Sequence, residues 1–370
     1  MKGSEVRIGI DLLESFVYDV FRGMGVPDND ARICTDVLLS ADKRGIDTHG
    51  IARLKTIYYD RVVHHRTQTP VTRITTLKDR GATAVLDGNN GMGMVIAHRA
   101  MELAIRKARQ YGLGMVAVRN SNHYGIAGYY VLMACQQDMI GLTGTNARPS
   151  VAPTHGVENM LGTNPLVFGI PTDEPFPFTN DYAPSIVQRG KIEHYARQQK
   201  PLPEGWVIDR NGRYLTDPET VLRALTEGSA ALLPLGGTGE EFGGHKGYGF
   251  LTVVELLSSC LQQGAFLKQL SGMADGRRVP YRIGHFFLAA DISFFTDPAE
   301  FKKRAGEILR QLRGSAKAPD AERIYTCGEK EHLAWQERSR SGIPLLPQTQ
   351  AEMITMRDEL GLDYRFPFEE

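Results

Sequence analysis

The stretch that decides the fold class is residues 83–118, TAVLDGNNGMGMVIAHRAMELAIRKARQYGLGMVAV. Its first five residues predict a short strand, which the turn GNNG ends. Residues 92–110 predict a helix, and the apolar run at 113–118 predicts a second, buried strand. A strand, a helix and a strand in this order are typical of proteins in which helices cover a sheet.

The rest of the chain continues this alternation. Amphipathic patterns at 11–24 and 28–41, and a third helix after the turn RGIDTHGIARL, predict that the first seventy-odd residues are helical. Strands are expected near 139–143, 166–170, 178–181 and 283–289, and helices near 129–137, 186–198, 246–263, 299–313 and 329–340. Residues 200–244, which are rich in Pro and Gly, are expected to be mostly irregular. We therefore predict an α/β protein with a discontinuous, mainly helical domain, residues 1–115 plus 286–370, into which a sheet-rich domain, residues 116–285, is inserted.

Composition narrows the class of protein. The chain has 370 residues, of which 42% are hydrophobic and 23% charged, an ordinary globular composition. Forty-three basic residues balance forty-three acidic ones, so net charge gives no reason to expect nucleic acid or an anionic membrane as a partner. Four widely spaced cysteines form no CxxC pair, which predicts a reducing, cytoplasmic setting. We expect neither a signal peptide nor a spanning helix, because no stretch comes near the ~20 apolar residues that a span needs.

Two glycine-rich segments have only part of a nucleotide-binding motif. Gly91-Met92-Gly93 lies between a predicted strand and a predicted helix, but Ile96 stands where a dinucleotide fingerprint needs Gly or Ala. Residues 239–244 have the spacing of a phosphate-binding P-loop, but His245 stands where Lys belongs. The histidines show no zinc-ligand spacing, so we predict no metal site.

Asp47, Thr48, His49 and Arg53 form the first candidate site. Thr48 is a good helix N-cap, which would place His49 in the first turn of the third helix and Arg53 one turn further on the same face. An imidazole passes protons near neutral pH, and an Arg grips a carboxylate with two parallel hydrogen bonds. The pair suits a substrate with a carboxylate beside a carbonyl or hydroxyl group. The alternative is a capped surface helix with a solvated His and Arg.

Further polar segments lie where ligands often bind. They are the loop 120–125 (NSNHYG), the segments 162–165 (GTNP) and 180–185 (NDYAPS), and the start of a long helix at 243–249 (GGHKGYG). Loops at strand ends commonly hold ligands in α/β proteins, and free N–H groups at a helix start favour an anion such as phosphate. Each segment could also be an ordinary turn or loop.

Seven segments, taken in chain order, resemble the type-2 malate/L-lactate dehydrogenase family, also called the sulfolactate-dehydrogenase-like oxidoreductases. The segments are RGIDTHGIARL, SNHYGIAGYY, LGTNPLVFGIPT, RGKIEHYARQQKPLPEGWVIDRNG, HKGYGFLTVVELLS, IGHFF and RSGIPL. The resemblance implies a reductase of 2-oxo acids that uses NADH or NADPH and runs reversibly from 2-hydroxy acids. It also implies a cofactor domain with a mixed, non-Rossmann sheet, and a tight homodimer whose active sites lie between domains and near the partner subunit.

Carried over residue by residue, the resemblance assigns roles at the site. His49 would be the catalytic acid/base and Arg53 the clamp on the substrate carboxylate, with the hydroxyl of Thr48 beside the substrate. Asp47 would orient the helix start, and His123 would lie against both the substrate and the nicotinamide. The remaining residues would line the cofactor: Asn164, Asp181, Ala183, Lys246, Gly247, Gly328 and Glu329.

The sequence departs from the family pattern at a few positions. Tyr182 stands where the family usually has Met, so a phenol could narrow the cofactor cleft, and Cys327 replaces a frequent Pro. Arg148 lies in a loop that varies in the family, where it could meet an extra substrate charge or a 2′-phosphate. The tail after Leu362 has no assigned place.

These observations predict a dehydrogenase of a small 2-hydroxy acid, of malate or lactate type. The same His and Arg would also serve a reductase of a cyclic imine carboxylate, of a diketo sugar acid or of ureidoglycolate. An alternative from another class is a catalytically silent cofactor-binding scaffold.

Overall fold

A computed structural model describes residues 6–369, apart from the side chain of Arg197. Residues 1–5, which begin the segment where no signal peptide is expected, lie outside the described residues. The helices are α1 (Ile10–Gly23), α2 (Asp28–Lys43), α3 (Asp60–Val62), α4 (Gly93–Tyr111), α5 (Gly128–Cys135), α6 (Arg189–Arg197), α7 (Pro218–Glu227), α8 (Gly244–Ser259), α9 (Pro298–Gly314), α10 (Glu329–Ser341) and α11 (Pro347–Leu360). The strands are β1 (Val6–Ile8), β2 (Thr75–Arg80), β3 (Thr83–Asp87), β4 (Leu113–Ser121), β5 (Met139–Thr145), β6 (Leu166–Ile170), β7 (Phe178–Tyr182), β8 (Val207–Asp209), β9 (Ala230–Leu232), β10 (Met273–Ala274), β11 (Arg277–Arg278), β12 (Ile283–Asp291) and β13 (Ile343–Leu345).

A seven-stranded mixed sheet organises the molecule, in the order β2-β3-β4-β12-β5-β6-β7. The quoted stretch 83–118 forms β3, α4 and most of β4, and β3 and β4 are parallel neighbours. The other pairings of this sheet are antiparallel. The α/β class and the mixed sheet are therefore confirmed. The domain boundaries predicted at 115/116 and 285/286 fall inside β4 and β12, and the division into domains remains a prediction.

The larger core lies between this sheet and helices from both ends of the chain. Buried side chains of α1, α2, α4, α5 and α11 form one apolar cluster with β3, β4 and β12. Strand β1 pairs with β13, and Phe16 packs edge-on against Tyr364 and Phe366. The start and the end of the chain therefore pack together, as expected, and the unplaced tail covers α1. The sequence pattern did not reveal β1, which has only three residues, or β2, whose residues are all exposed.

A second, smaller core is built by α6, β8, α7, β9 and the inner face of α8. Part of it comes from residues 200–244, which are mostly irregular, as expected, but also contain β8, α7 and β9. Helix α7 begins at an N-cap, Asp217, whose carboxylate accepts the N–H of Thr220, has Pro218 in its first turn and ends at Gly228. These are ordinary helix start and stop signals. The abundance of Pro and Gly concealed them, because the same residues also punctuate loops.

Membrane and metal features were searched over residues 6–369. Within this range no helix is both long and apolar enough to cross a membrane. No group of three or more His, Cys, Asp or Glu residues in the same range is placed to hold a metal ion.

Candidate active site

The segment from Asp47 to Val62 is not the regular helix that the sequence predicts. Residues 47–50 form a turn, a 3-10 turn follows at Ile51–Arg53, and Leu54–Tyr59 have π-helical hydrogen bonds before α3 begins. The residue before this helical run is Gly50, so the prediction that Thr48 is the N-cap and His49 lies in the first turn is wrong. Short π-helical insertions are frequent at functional sites.

A residue that the sequence analysis missed, Asp42 of α2, takes the capping role. Its Oδ2 accepts the N–H of Ile51 at 2.7 Å. A side chain at Gly50 would meet the Asp42 carboxyl group at 2.1 Å, so only glycine fits there. Burial raises the pKa of Asp42 to about 8. The sequence did contain a signal for this role, since Asp42 follows the buried Leu38 by one helical turn and is therefore an acid on the buried face of α2. The pattern of α2 alone, however, does not show which group this acid binds.

Thr48 brings the predicted acid/base and the predicted carboxylate clamp together. Its Oγ1 lies 2.9 Å from Nδ1 of His49, and its carbonyl accepts Nε–H of Arg53 at 2.7 Å. This leaves Nε2 of His49 and the Nη groups of Arg53 for other partners. The carboxylate of Glu193 in α6 lies 3.9 Å from Nη2 of Arg53.

His123 lies beside His49, with the two rings stacked at 5.9 Å between centroids. Its Nδ1 is 2.7 Å from the hydroxyl of Tyr58 and 3.3 Å from the backbone N–H of Gly125. Because a backbone N–H can only donate, Nδ1 is the acceptor, and the hydrogen of the neutral ring is on Nε2. His123 is therefore oriented as a hydrogen-bond donor.

The surroundings keep both imidazoles neutral at neutral pH. Burial lowers the pKa of His49 to about 4, and the charge of Arg53 acts in the same direction. Burial also lowers the pKa of His123 well below its usual range, and His49, Arg61 and Arg53 add to this effect. Both side chains nonetheless retain partial exposure. A neutral, partly accessible imidazole can accept a proton from a hydroxyl group and return it.

A second residue that the sequence analysis missed, His285 of β12, supports the loop that carries His123. Its ring is fully buried and lies 2.8 Å from the hydroxyls of Thr145 and Ser121. It also stacks on Tyr124 at 4.4 Å between centroids. Burial lowers its pKa to about 3, so it is neutral. The segment IGHFF contains this histidine, but its spacing along the chain gives no sign of these contacts.

Asp47 is held away from the two imidazoles. Its two carboxylate oxygens accept hydrogen bonds from the guanidinium of Arg338 in α10, which also donates to the Asp42 carbonyl. The contact ties the turn before His49 to the C-terminal part of the chain. A role for Asp47 in orienting this turn remains a prediction.

A cavity of about 380 Å³ begins next to the His123 loop and brings together two predicted cofactor residues, Asp181 and Gly328. Arg44 and Lys330 add positive charge to its wall, and Tyr182 also lines it. Asp181 accepts the N–H of Gly128 at 2.8 Å, and burial raises its pKa to about 6. The lining also includes Ile126, Cys327 and Glu331.

Gly328 and Glu329 anchor the C-terminal segment at this cavity. Gly328 has a φ of 92°, and a side chain there would lie 2.6 Å from the carbonyl oxygen of Pro177. Glu329 is buried and accepts hydrogen bonds from Arg323 and from the N–H of Thr326. Gly328 thus faces the predicted cofactor site, whereas the Glu329 carboxylate is engaged by protein groups.

Ala183 and Gly247 lie in chain segments that both pack closely against the backbone of Leu235. We call these segments the backbone layer; it begins next to Tyr182 in the wall of the cavity. The carbonyl of Pro184, which follows Ala183, accepts the N–H of Leu235 at 2.8 Å. A side chain at Gly247 would lie 2.2 Å from the Leu235 carbonyl oxygen. Lys246 is exposed in the first turn of α8, whose N-cap provides no side-chain hydrogen bond. The charge of Lys246 therefore lies at the positive end of the α8 dipole, which favours an anion.

Asn164 lies fully buried behind this layer. Its Oδ1 accepts the N–H of Ala147 at 3.1 Å, and its Nδ2 donates to the Leu251 carbonyl and the Glu255 carboxylate at 3.1 and 2.8 Å. The amide thus fixes a loop to α8. Direct contact between Asn164 and the cofactor remains a prediction, which these contacts do not favour. Arg148 is exposed in the same loop.

Comparison with known proteins identifies the family. The chain matches the malate/L-lactate dehydrogenase family over residues 8–354. It is 43% identical over 357 residues, 96% of either chain, to malate dehydrogenase of Pyrococcus abyssi. It is 37% identical over 351 residues, 95% of this chain and 96% of the relative, to L-sulfolactate dehydrogenase of Methanocaldococcus jannaschii. The crystal structure of malate dehydrogenase from Entamoeba histolytica matches with a TM-score of 0.95 at 43% identity, covering 98% of this chain and 100% of that chain. The resemblance of the seven segments is thereby confirmed: the chain belongs to the malate/L-lactate dehydrogenase family and is a hydroxyacid dehydrogenase.

Proposed function

We propose that the protein interconverts a small 2-hydroxy acid of malate type and its 2-oxo acid by NAD(P)-linked hydride transfer. The observation that supports this most directly is the convergence of His49, Arg53 and His123, which the contacts of Thr48 and the stacking of the two rings hold together. The similarity to malate dehydrogenases at 41–43% identity supports the same substrate type.

Each residue has a distinct task in this scheme. Arg53 binds the carboxylate of the substrate through its two Nη groups, since its Nε is held by Thr48. His49 takes the proton of the 2-hydroxyl group during oxidation and returns it during reduction. The Nε2–H of His123 donates a hydrogen bond to the same oxygen and stabilises negative charge that develops there. The low pKa of His49 keeps its ring unprotonated at neutral pH, which is the form that can accept the proton in the oxidation.

The nicotinamide cofactor supplies the hydride for reduction and accepts it in oxidation. We propose that it lies along Gly328, Asp181, Ala183 and the start of α8, without a Rossmann nucleotide site. The cavity beside the His123 loop and the glycine-rich backbone layer fit an extended dinucleotide. Arg44 and Lys330, which line the cavity, and Lys246 at the start of α8 would face its phosphates, while Tyr182 would restrict the width of the cavity.

The experiment that tests the proposed function is a substrate and cofactor panel. Purified protein is assayed with NAD and NADP for oxidation of malate, lactate and ureidoglycolate, and with NADH and NADPH for reduction of a cyclic imine carboxylate. We expect malate to give the highest kcat/KM. The absence of NAD(P)-linked turnover for every 2-hydroxy acid would contradict the proposal, and a higher value for lactate would replace the malate type by the lactate type.

We also propose that the protein is a homodimer that buries the outer face of α8. Phe250, Val253 and Leu256 are each about half exposed on this face, at 48, 45 and 53%. A continuous apolar stripe on a helix commonly marks a contact between proteins. Light scattering should give twice the chain mass, and Val253→Asp should give the mass of a single chain. The control Ile308→Asp changes another exposed apolar residue, on α9, and should leave the mass unchanged.

The four cysteines support a reducing, cytoplasmic location. All four are free thiols, and Cys34 and Cys135 are buried in the core. A location in an oxidising compartment would expose Cys260 and Cys327 to oxidation. Fractionation of cells that express the tagged protein tests this proposal, and recovery outside the cytoplasm would contradict it.

A further inference from the structure

Three arginines that come from distant parts of the chain gather beside the candidate active site. Arg61 is on α3, Arg148 is in the loop between β5 and β6, and Arg278 is on β11. Arg61 is largely enclosed by protein, whereas Arg148 and Arg278 are exposed. Burial lowers the pKa of Arg61, and the like charges of Arg148 and Arg278 act in the same direction. The guanidinium of Arg61 is therefore close enough to Arg148 and to Arg278 for both charges to act on it.

No carboxylate of the described residues balances this charge. Within residues 6–369, neither Arg61 nor Arg148 nor Arg278 has an acidic partner at ion-pair distance. The Nη1 atom of Arg61 is buried and has no hydrogen-bond partner there, while the guanidinium stacks on Tyr281 at 4.2 Å. A buried cation without an anion is costly. The cluster therefore suits an anionic group that comes from outside the chain.

The cluster is next to the residues that would act on the substrate. Arg61 and Arg53 both influence the environment of Tyr58 and of His123, and Arg61 has the stronger effect in each case. In a regular α-helix, two residues eight positions apart are rotated about the helix axis by two full turns plus ~80°, so they do not share a face. The π-helical bonds of Leu54–Tyr59 add residues to each turn, which brings Arg53 and Arg61 closer to one face. Two cations of one helical run, Arg53 and Arg61, thus both act on His123.

We propose that Arg61, together with Arg148 and Arg278, binds a second carboxylate at the far end of the substrate and so selects dianionic 2-hydroxy acids. The inference rests on the proposed function, in which Arg53 holds the carboxylate next to the reacting carbon. A 2′-phosphate of NADP is a less suitable occupant, because it lies on the adenosine ribose, far from the nicotinamide end that His123 would face. Arg61 is a specificity-determining residue in this arrangement, and it was not among the residues singled out by the sequence.

The test compares two substrates that differ mainly in this carboxylate. The ratio of kcat/KM for malate to kcat/KM for 2-hydroxybutyrate is measured for the natural protein and for Arg61→Gln, Arg148→Gln and Arg278→Gln. A charge-assisted hydrogen bond corresponds to roughly a 10- to 100-fold effect. We expect Arg61→Gln to lower the ratio by about this factor, and the two exposed variants to lower it less. Arg277→Gln is the matched control, because Arg277 is the exposed neighbour of Arg278 on β11 and successive side chains of a strand point to opposite faces.

The outcomes separate this inference from the proposed function. If the natural protein oxidises neither substrate, the proposed function fails, and the inference with it. If the protein is active but the ratio stays constant in Arg61→Gln and in the exposed variants, only the inference is overturned. A constant ratio together with a changed preference for NADP over NAD would assign the cluster to the nucleotide phosphate. A constant ratio of the two kcat/KM values together with a changed particle mass by light scattering would assign the arginine cluster to an acidic group of a second copy of the chain.

Discussion

The two sides of the candidate site are built by different means. On the side of the His pair, enclosed side chains such as Asp42, His49 and His123 have strongly displaced pKa values and specific hydrogen-bond partners. On the side of the proposed cofactor, backbone groups approach each other so closely that Gly247 and Gly328 have no room for a side chain. The comparison teaches that proton chemistry depends on desolvated side chains here, whereas the proposed dinucleotide groove depends on the shape of the backbone.

The largest effect on activity should come from substitutions on the side of the His pair. We expect His49→Gln and Arg53→Gln each to lower kcat/KM by about 10²–10⁴, because each removes a group that acts on the reacting substrate. Steady-state kinetics with malate measures this, and circular dichroism checks that the fold is intact. His155→Asn, a change at an exposed histidine that lines a separate pocket, is the control. Activity near that of the natural protein in both site variants would contradict the assigned roles.

On the side of the proposed cofactor, an added methyl group should lower both stability and cofactor affinity. In Gly247→Ala the new Cβ would lie 2.2 Å from the Leu235 carbonyl, so the layer must shift. We expect a loss of about 1–3 kcal/mol in the free energy of unfolding and roughly tenfold weaker NADH binding, equivalent to ~1.4 kcal/mol. Urea unfolding and NADH fluorescence titration measure these quantities.

Gly249→Ala provides a matched control in the same helix. No atom lies within 4 Å of a Cβ at Gly249, so the change should be neutral or stabilise α8 by up to ~1 kcal/mol. Equal effects of the two substitutions on NADH binding would contradict the proposal that the close approach of the backbone at Gly247 shapes the cofactor groove.

Acidification should lower the free energy of unfolding through His285, which supports the loop that carries His123. The pKa of His285 is about 3 in the folded chain against an ordinary 6.5, so between these values the unfolded chain binds a proton that the folded chain does not. Stability therefore falls as the pH decreases through this window, by ~1.4 kcal/mol per pH unit for this residue. In His285→Gln, which can still bond Ser121 and Thr145, the slope between pH 5 and 6.5 should be smaller by that amount. An unchanged slope in urea unfolding would disprove the assignment.

The smallest effect should come from the contact between Glu193 and Arg53. The Glu193 carboxylate lies 3.9 Å from Arg53 and competes with the substrate carboxylate for it. Because partly exposed ion pairs contribute only ~0–1 kcal/mol, Glu193→Gln should lower KM up to about fivefold with little change in kcat. Glu219→Gln on α7 is the control. A higher KM in Glu193→Gln would mean that the carboxylate supports substrate binding instead.

Much of the fold and part of the site were predictable from local patterns. The strand at Thr83–Asp87 and the strand at Leu166–Ile170 were predicted to the residue, because apolar runs end at clear turn signals. His49, Thr48 and Arg53 were recognised as one cluster from their spacing, and the structure brings them together. Helix α7 was missed although Asp217 and Gly228 mark its ends.

Other features had no local signal. The pairing of β1 with β13 joins residues more than three hundred positions apart. The N–H of Ile51 at the start of this turn is capped by the carboxylate of Asp42 on another helix, which is why the assignment of Thr48 as the N-cap failed. The support of the His123 loop by His285 joins residues far apart in the chain through their shared neighbour Ser121.

The sequence by itself determined the alternating strands and helices, the family and the identity of the chemical groups, because each depends on residue types at short spacing. Only the tertiary structure decided which groups are desolvated, which nitrogen of His123 holds its hydrogen, and that the charges of Arg148 and Arg278 act on Arg61. Burial and charge coupling depend on distances in space, and chain folding sets these distances independently of separation along the sequence.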